Sequence, residues 1–253
     1  MRELAYNLAT PSRAFRRRLV HCILVANIQV YPWLGLGDPV SGFTHLLGAV
    51  VFLWPAVLLL HRGRGDWRRV ALLSVFVLSA LFLLVSSGTY HLLPLDSSAR
   101  AVFWRLDVAG IFVLIAGTFT PVHGLLFRGP MRWAPLLFIW AMAAVGMFLT
   151  IAFLGRVPHW AFTACFLGMG WTGLIGGIVL WRRDGFAFVR PLLLGAAAYT
   201  LGAVLEVMHW PTILPGVVGP HEVWHVAVLA GIFFHWQFTY QFAAGETSAM
   251  VVM

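Results

Sequence analysis

The chain has no lysine and little charge of either sign. All 17 basic residues are arginine and only nine residues are acidic, so charged residues make up 10% of the 253 positions. A soluble domain of this length normally carries about 25% charged residues. With hydrophobic residues at 60% of the chain, this scarcity of charge excludes an ordinary soluble domain and indicates that lipid is the solvent.

Cysteine is also scarce. Cys22 and Cys165 are too few for a disulfide scaffold or a thiolate zinc site. The net charge of +8 raises the question of nucleic-acid binding. However, the arginines cluster at the ends of apolar segments, as membrane topology requires. We therefore expect membrane lipids, and no nucleic acid, as partners of this chain.

Seven apolar runs are long enough to cross ~30 Å of hydrocarbon, which takes about 20 residues each. They cover residues 40–60, 70–90, 102–126, 133–154, 160–181, 189–208 and 221–242. Such runs must be helices, because a backbone in lipid has to satisfy its own hydrogen bonds. The predicted fold is therefore all-α: a polytopic membrane protein with a seven-transmembrane helix bundle.

The bundle is predicted to occupy residues 38–243 as one domain. Residues 1–37 form a basic N-terminal segment, in which the apolar stretch 19–36 either lies in the membrane interface as a helix or crosses as an eighth span. We favour the interfacial helix, because the stretch contains His21, Asn27, Gln29 and Pro32. Residues 244–253 form a short C-terminal tail. With seven spans the arginines divide almost equally between the two sides, so the positive-inside rule leaves the orientation open.

The two ends of the predicted bundle differ in chemistry. Following the spans alternately up and down places histidines and carboxylates at one end, here called the histidine end, and arginines at the other, the arginine end. The histidine end collects Asp38, His45, His91, Asp96, Asp107, His159, Glu206, His209, His221, Glu222 and His225. The arginine end collects Arg62, Arg64, Arg68, Arg69, Arg128, Arg132, Arg182, Arg183 and Arg190. Residues able to bind a metal are thus predicted to converge although they are distant in sequence.

The strongest local pattern is His221-Glu222-Val223-Trp224-His225. Histidines four residues apart share a helix face and can bind one metal ion. His91 ends the second span and Asp107 begins the third, which places both at the same depth. Three histidines leave one position of a zinc ion open to water, as in catalytic sites. Asp107 is then a candidate to hold that water or accept its proton, and Ser87 shares a helix face with His91.

The pattern also matches the His-Glu-x-x-His signature of zinc proteases, in which the glutamate is the general base. That interpretation requires a third ligand downstream. The next ionisable residue on the helix is His235, roughly 15 Å further along, which is too far. Glu222 remains a candidate base or a partner of a ligand.

Together these motifs resemble the haemolysin III branch of the progestin and adipoQ receptor family. The resemblance covers about residues 38–242. Its motifs are Ser87-x-x-x-His91, then Arg105-Leu106-Asp107 running into Ile115-Ala116-Gly117-Thr118-Phe119-Thr120-Pro121, and His221-Glu222-x-x-His225; the opening Asp38-Pro39-Val40-Ser41-Gly42-Phe43-Thr44-His45 is also similar, with Asp38 where the family more usually has glutamate.

The resemblance implies a zinc ion (Zn2+) held by His91, His221 and His225, with Asp107 holding the zinc-bound water and Ser87 beside it. Because the wider superfamily includes alkaline ceramidases, it also implies hydrolysis of a lipid amide. The resemblance leaves the role of Asp38 open, since its side chain is shorter than glutamate. For a chain of this branch we expect a multi-pass protein of the bacterial cytoplasmic (inner) membrane.

Three functions remain as hypotheses. The leading one is a zinc-dependent intramembrane hydrolase of a lipid amide or ester. The second is a receptor or sensor of membrane state in which zinc is structural. The third is a lytic protein, which we rank last because no span carries the repeated polar stripe that a water-filled pore requires. The sequence does not indicate the substrate or the oligomeric state.

Overall fold

A computed structural model describes residues 35–153 and 156–245, except for the side chain of His159. The described residues contain eight helices. They are α1 (Pro39–Arg62), α2 (Trp67–Leu92), α3 (Ser98–Leu126), α4 (Pro130–Phe153), α5 (His159–Trp171), α6 (Leu174–Asp184), α7 (Phe186–Val207) and α8 (Pro220–Phe242). The all-α class and the polytopic helix bundle are confirmed. The predicted interfacial helix falls on residues 19–36, of which 19–34 lie outside the described residues.

The predicted number of seven spans is not reproduced. Six segments of the described chain are long and apolar enough to cross a membrane, and α5 and α6 together provide one of them, Trp160–Asp184. The segment predicted as the seventh span is α8, which at 23 residues is long enough. The histidines and glutamines of α8 lower its mean hydropathy. Two of these histidines, His221 and His225, belong to the candidate site.

The apolar core is built around α2 and α3. One cluster joins α1, α2 and α8 through residues such as Phe52, Phe76 and Ile232. A second joins α3, α4 and α5, with Phe112 and Ile139 at its centre. Helix α8 packs against α7 and α1. The C-terminal end of α2 and the N-terminal end of α8 therefore both lie beside the start of α1.

Two glycines let α1 and α2 approach closely near this junction. A Cβ atom on Gly88 would lie 2.6 Å from Cγ of Leu46 and 3.0 Å from the carbonyl oxygen of Gly42. The backbone N–H of Asp38 donates to the carbonyl of His91 at 2.7 Å. These contacts hold the last turn of α2 against the residue that precedes α1, and small residues are the usual means of such packing between membrane helices.

Candidate metal centre

Three imidazoles from two helices converge at the histidine end. His221 Nε2 lies 3.2 Å from His91 Nε2 and 3.1 Å from His225 Nε2. The ligand atoms of all three residues lie within 4.8 Å of one another. Two nitrogens bound to one tetrahedral zinc ion, each at 2.0–2.1 Å, are about 3.3 Å apart. The two separations that involve His221 match those of a shared metal ion.

Helix geometry accounts for this arrangement. His221 and His225 are one turn apart in the first two turns of α8, so their rings project from the same face. His91 lies in the last turn of α2, where the close approach of α1 and α2 fixes its position along the bundle. His91 and His225 are buried, while His221 is partly exposed. The cluster thus lies near the end of the bundle and is partly open.

The outer nitrogens of two of these rings are held by carboxylates. His91 Nδ1 lies 3.1 Å from Asp38 Oδ2, and His221 Nδ1 lies 3.1 Å from Glu206 Oε1. An ionised carboxylate can only accept a hydrogen bond, so each Nδ1 carries a proton, and in the neutral ring each Nε2 then presents a lone pair. Two such lone pairs facing one another at this distance would be stabilised by a cation between them. A carboxylate behind a histidine is also the usual outer partner of a zinc ligand.

Asp38 joins the cluster to α3. Its Oδ2 also accepts a hydrogen bond from Nη2 of Arg100 at 2.7 Å. Burial favours a raised pKa for Asp38, but the hydrogen bonds from His91 and Arg100 and the positive charge of Arg100 outweigh it and lower the pKa below its usual value. Asp38 is therefore ionised at neutral pH and suited to hold the His91 ring.

Asp107 and Ser87 lie beside the three histidines. Asp107 Oδ2 is 4.0 Å from His91 Nε2, and Ser87 is within hydrogen-bonding reach of the Asp107 carboxylate. Asp107 is not part of the group whose ligand atoms lie within 4.8 Å of one another. Asp107 thus lies beside the three ligand nitrogens but is not itself a ligand candidate. This position suits a carboxylate that contacts a water molecule bound to the metal, a role that remains a prediction.

The carboxylate of Glu222 is occupied by structural hydrogen bonds and is not free to act as a general base. Its Oε2 accepts the backbone N–H of Gly219 at 2.8 Å, and its Oε1 accepts the hydroxyl of Ser41 at 2.7 Å. The first bond satisfies a backbone donor at the start of α8, and the second ties α8 to α1. Both oxygens are engaged in structure, which argues against the protease-like interpretation of this motif.

Comparisons with known proteins identify the family of this chain. The sequence profile of the family described as haemolysin-III related matches residues 37–236. The chain belongs to this family. It is 30% identical to Hemolysin-3 of Bacillus cereus over 197 residues, which is 76% of this chain and 84% of that protein.

Plant and animal relatives extend the comparison. A protein of Oryza sativa subsp. japonica named heptahelical transmembrane protein ADIPOR2 is 35% identical over 189 residues, covering 69% of this chain and 81% of that protein. Progestin and adipoQ receptor-like protein 1 of Caenorhabditis elegans is 28% identical over 215 residues, covering 77% of this chain and 49% of its own length. The resemblance to the haemolysin III and progestin and adipoQ receptor proteins is confirmed.

A fourth histidine completes the centre of this haemolysin-III-related protein. The ring of His45, from α1, stacks on the ring of His225 with centroids 3.8 Å apart and planes 19° from parallel. Three ring nitrogens here have no hydrogen-bond partner of ordinary geometry among the described residues: both nitrogens of His45 and Nδ1 of His225. Stacking thus orients the one ligand candidate that has no carboxylate behind it.

Sequence reasoning missed the supporting residues of the centre. Asp38 and Glu206 are predicted at the correct end, but only the structure shows which histidine each contacts. Glu206 resembles an ordinary residue at a span end, because its partner His221 is 15 residues away across the loop between α7 and α8. The acid at position 38 could have been paired with His91 only by knowing that α1 begins beside the end of α2.

Several other histidines and acids lie outside the three-histidine group. His235, which the sequence predicts to be too far away, is partly buried about three turns of α8 beyond His225 and packs against Tyr199, with ring centroids 5.4 Å apart. His123 lies between the rings of Phe119 and Phe127. His209 and Asp96 are at the histidine end but exposed, and neither is in the metal-binding group.

Proposed function

We propose that this haemolysin-III-related protein is a zinc-dependent intramembrane hydrolase that cleaves a lipid amide or ester. The observation that carries the proposal is the composition of the candidate ligand group. Among residues 35–153 and 156–245 it contains three histidines and no carboxylate. Three nitrogen ligands are typical of catalytic zinc sites, in which one coordination position stays free for water or substrate.

The protein side chains divide the work of hydrolysis. Zinc at this position supplies a Lewis acid that polarises the substrate carbonyl and makes water a better nucleophile at neutral pH. Asp107, beside the three nitrogens, accepts a proton from the attacking water and returns it to the leaving amine or alcohol as the carbonyl bond to nitrogen or oxygen breaks. The products are a fatty acid and an amine or alcohol. Ser87 holds the Asp107 carboxylate in place.

The position of the centre supports a lipid as the substrate. His91 lies in the last turn of α2 and His221 in the first turn of α8, so the cluster is near one end of the bundle. A substrate whose carbonyl lies just below its head group reaches this depth with its chains between the helices. Partial exposure of His221 provides contact with the interface.

The test is turnover by the purified chain in vesicles containing either a long-chain N-acyl amide of a sphingoid base or a lysophospholipid ester. We expect fatty acid release that stops on removal of metal with a chelator and returns with zinc. Asp107→Asn should retain metal and lower turnover by about 10²–10⁴-fold, the usual contribution of a proton-transfer group. Asp96→Asn, an exposed acid at the same end, should leave turnover unchanged.

The names of the relatives favour a second candidate, a receptor in which zinc is structural. One relative is named as receptor-like and another as a heptahelical transmembrane protein. In that case the metal-loaded chain would release no fatty acid from either lipid, and Asp107→Asn would change metal affinity or stability instead. A lytic protein would release solutes from liposomes even when His221 and His225 are both replaced by alanine.

The relatives in Bacillus support a place for this integral, multi-pass protein in the bacterial cytoplasmic membrane. A reporter fused after residue 253 would give the side on which the C-terminus lies.

A further inference from the structure

A second feature of the molecule lies at the arginine end, far from the three histidines of the candidate metal centre. A groove of about 550 Å³ runs between α7 and α8. It is lined by apolar side chains of both helices and by three polar residues, Arg190, Gln237 and Gln241. The polar residues lie near the start of α7 and the end of α8, which meet at this end of the bundle because the two helices are joined by one loop at the other end.

Arg190 has no acidic partner among the described residues. Other arginines at this end are engaged: Arg69 donates to the carbonyl of Ala244 and Arg183 to that of Leu126. Arg190 is exposed and makes no such contact within the part of the chain that the structure describes. A guanidinium that faces a groove at the edge of the lipid is available to a phosphate, whose geometry it fits with paired N–H donors.

Gln237 provides a second unsatisfied group. It lies one turn deeper in α8 than Gln241, is partly buried, and has no hydrogen-bond partner among the described side chains and backbone. An amide without a partner at this depth is costly in lipid. Gln241 donates to the carbonyl of Phe188 at 3.3 Å, which leaves its own amide oxygen free. The groove thus offers one cation and two amides to a polar ligand.

The remainder of the groove suits a hydrocarbon chain. Leu194 and Phe234 line its deeper part, one turn further into the bundle than Arg190 and Gln237 respectively. From the end of the bundle inwards the groove therefore passes from polar side chains, Gln241, Arg190 and Gln237, to an apolar wall. A glycerophospholipid has the same order, with a polar head group followed by acyl chains.

The charge of this end favours an anionic lipid over a neutral one. Its nine arginines are accompanied by only Asp66 and Asp184 among the described residues. Basic residues at a membrane surface attract anionic lipids. We propose that the groove between α7 and α8 is a binding site for an anionic glycerophospholipid, whose phosphate is held by Arg190 and whose acyl chain lies on Leu194 and Phe234.

The test is lipid retention by the purified full-length chain, measured by native mass spectrometry after titration with phosphatidylglycerol or phosphatidylcholine. We expect saturable binding of phosphatidylglycerol with a one-lipid component that phosphatidylcholine does not displace. Arg190→Gln should weaken that component about tenfold, the effect of losing one charge-assisted hydrogen bond near a lipid surface. Arg182→Gln, which removes an exposed arginine from α6 outside the groove, should weaken it less than about twofold.

Two further measurements separate this site from general attraction. Leu194→Trp changes no charge and fills the apolar part of the groove, so it should also remove the one-lipid component. Inorganic phosphate in excess should not displace the lipid, because it lacks the chain. Equal effects of Arg182→Gln and Arg190→Gln, no effect of Leu194→Trp, displacement by inorganic phosphate, or equal retention of phosphatidylcholine would each overturn the proposal.

Discussion

The two ends of this helix bundle differ in what their carboxylates and guanidiniums contact. At the histidine end, carboxylates hold the rings of two metal-ligand candidates: Asp38 holds His91 and Glu206 holds His221. At the arginine end, guanidiniums donate to carbonyls in the last turn of α8 or just beyond it: Arg62 to Tyr240 at 3.1 Å and Arg69 to Ala244 at 2.6 Å.

The difference shows what each end contributes. The last carbonyls of a helix have no partner within it and carry partial negative charge, so arginine beside them stabilises the fold. The histidine end instead brings three imidazole nitrogens together, and neutral rings that direct lone pairs at one another lose stability unless a cation is bound. The arginine end thus stabilises the packing of the helices, whereas the histidine end is suited to bind a cation.

Removal of the two α8 histidines should have the largest effect. His221→Ala with His225→Ala leaves one nitrogen of the candidate set, which cannot hold a divalent ion against the solvent. We expect the bound metal of the purified chain, measured by mass spectrometry of the elements, to fall from about one ion per chain to near none. His209→Asn removes an exposed histidine at the same end and should leave the metal content unchanged. Equal metal in all three proteins would show that the histidines are a polar core without a ligand.

Loss of the carboxylate behind His91 should have the next largest effect. Asp38→Asn preserves size but removes the charge that orients the ring, and losses of outer partners typically reduce metal affinity about 10–100-fold. Competition with a fluorescent zinc chelator measures this change. Asp96→Asn is the matched control, since Asp96 is exposed at the same end. An unchanged metal affinity in Asp38→Asn would mean that Asp38 pairs with Arg100 without supporting His91 as a metal ligand.

Much of this comparison could be predicted from the sequence, and the reason is physical. The alternation of spans fixes which end of the bundle a residue occupies, so the separation of arginines from histidines and carboxylates needed no structure. The pairing of His221 with His225 follows from helix periodicity. The contacts of Asp38 and Glu206, the stacking of His45 on His225 and the structural use of Glu222 depend on how neighbouring helices are rotated, which no periodicity within one helix determines. Six rather than seven segments of the described chain are apolar enough to count as spans, because α8 carries the site and is therefore less apolar.

Adding a methyl group between α1 and α2 should have a smaller effect, which lowers both stability and metal affinity. In Gly88→Ala the new Cβ would lie 2.6 Å from Leu46 Cγ and 3.0 Å from the backbone oxygen of Gly42, and overpacking of this kind costs about 1–3 kcal/mol. Because His91 follows one turn later, metal affinity should fall with stability. Gly168→Ala is the control, since no atom lies within 4 Å of its added Cβ. It should leave stability unchanged or raise it by about 0.5–1 kcal/mol in thermal unfolding.

The smallest effect is expected at the arginine end. Arg69 donates to the carbonyl of Ala244 just after α8 and lies 3.9 Å from Asp66, so Arg69→Gln removes one charge-assisted hydrogen bond and a weak ion pair. A loss of about 1 kcal/mol in the free energy of unfolding is expected, with metal content and affinity unchanged. Arg68→Gln, which removes a neighbouring exposed arginine that contacts only the Trp67 ring among the described side chains, should change stability by less than about 0.5 kcal/mol. Should Arg69→Gln lower metal affinity as much as Asp38→Asn does, the two ends would be coupled through α8 and their division of labour would not hold.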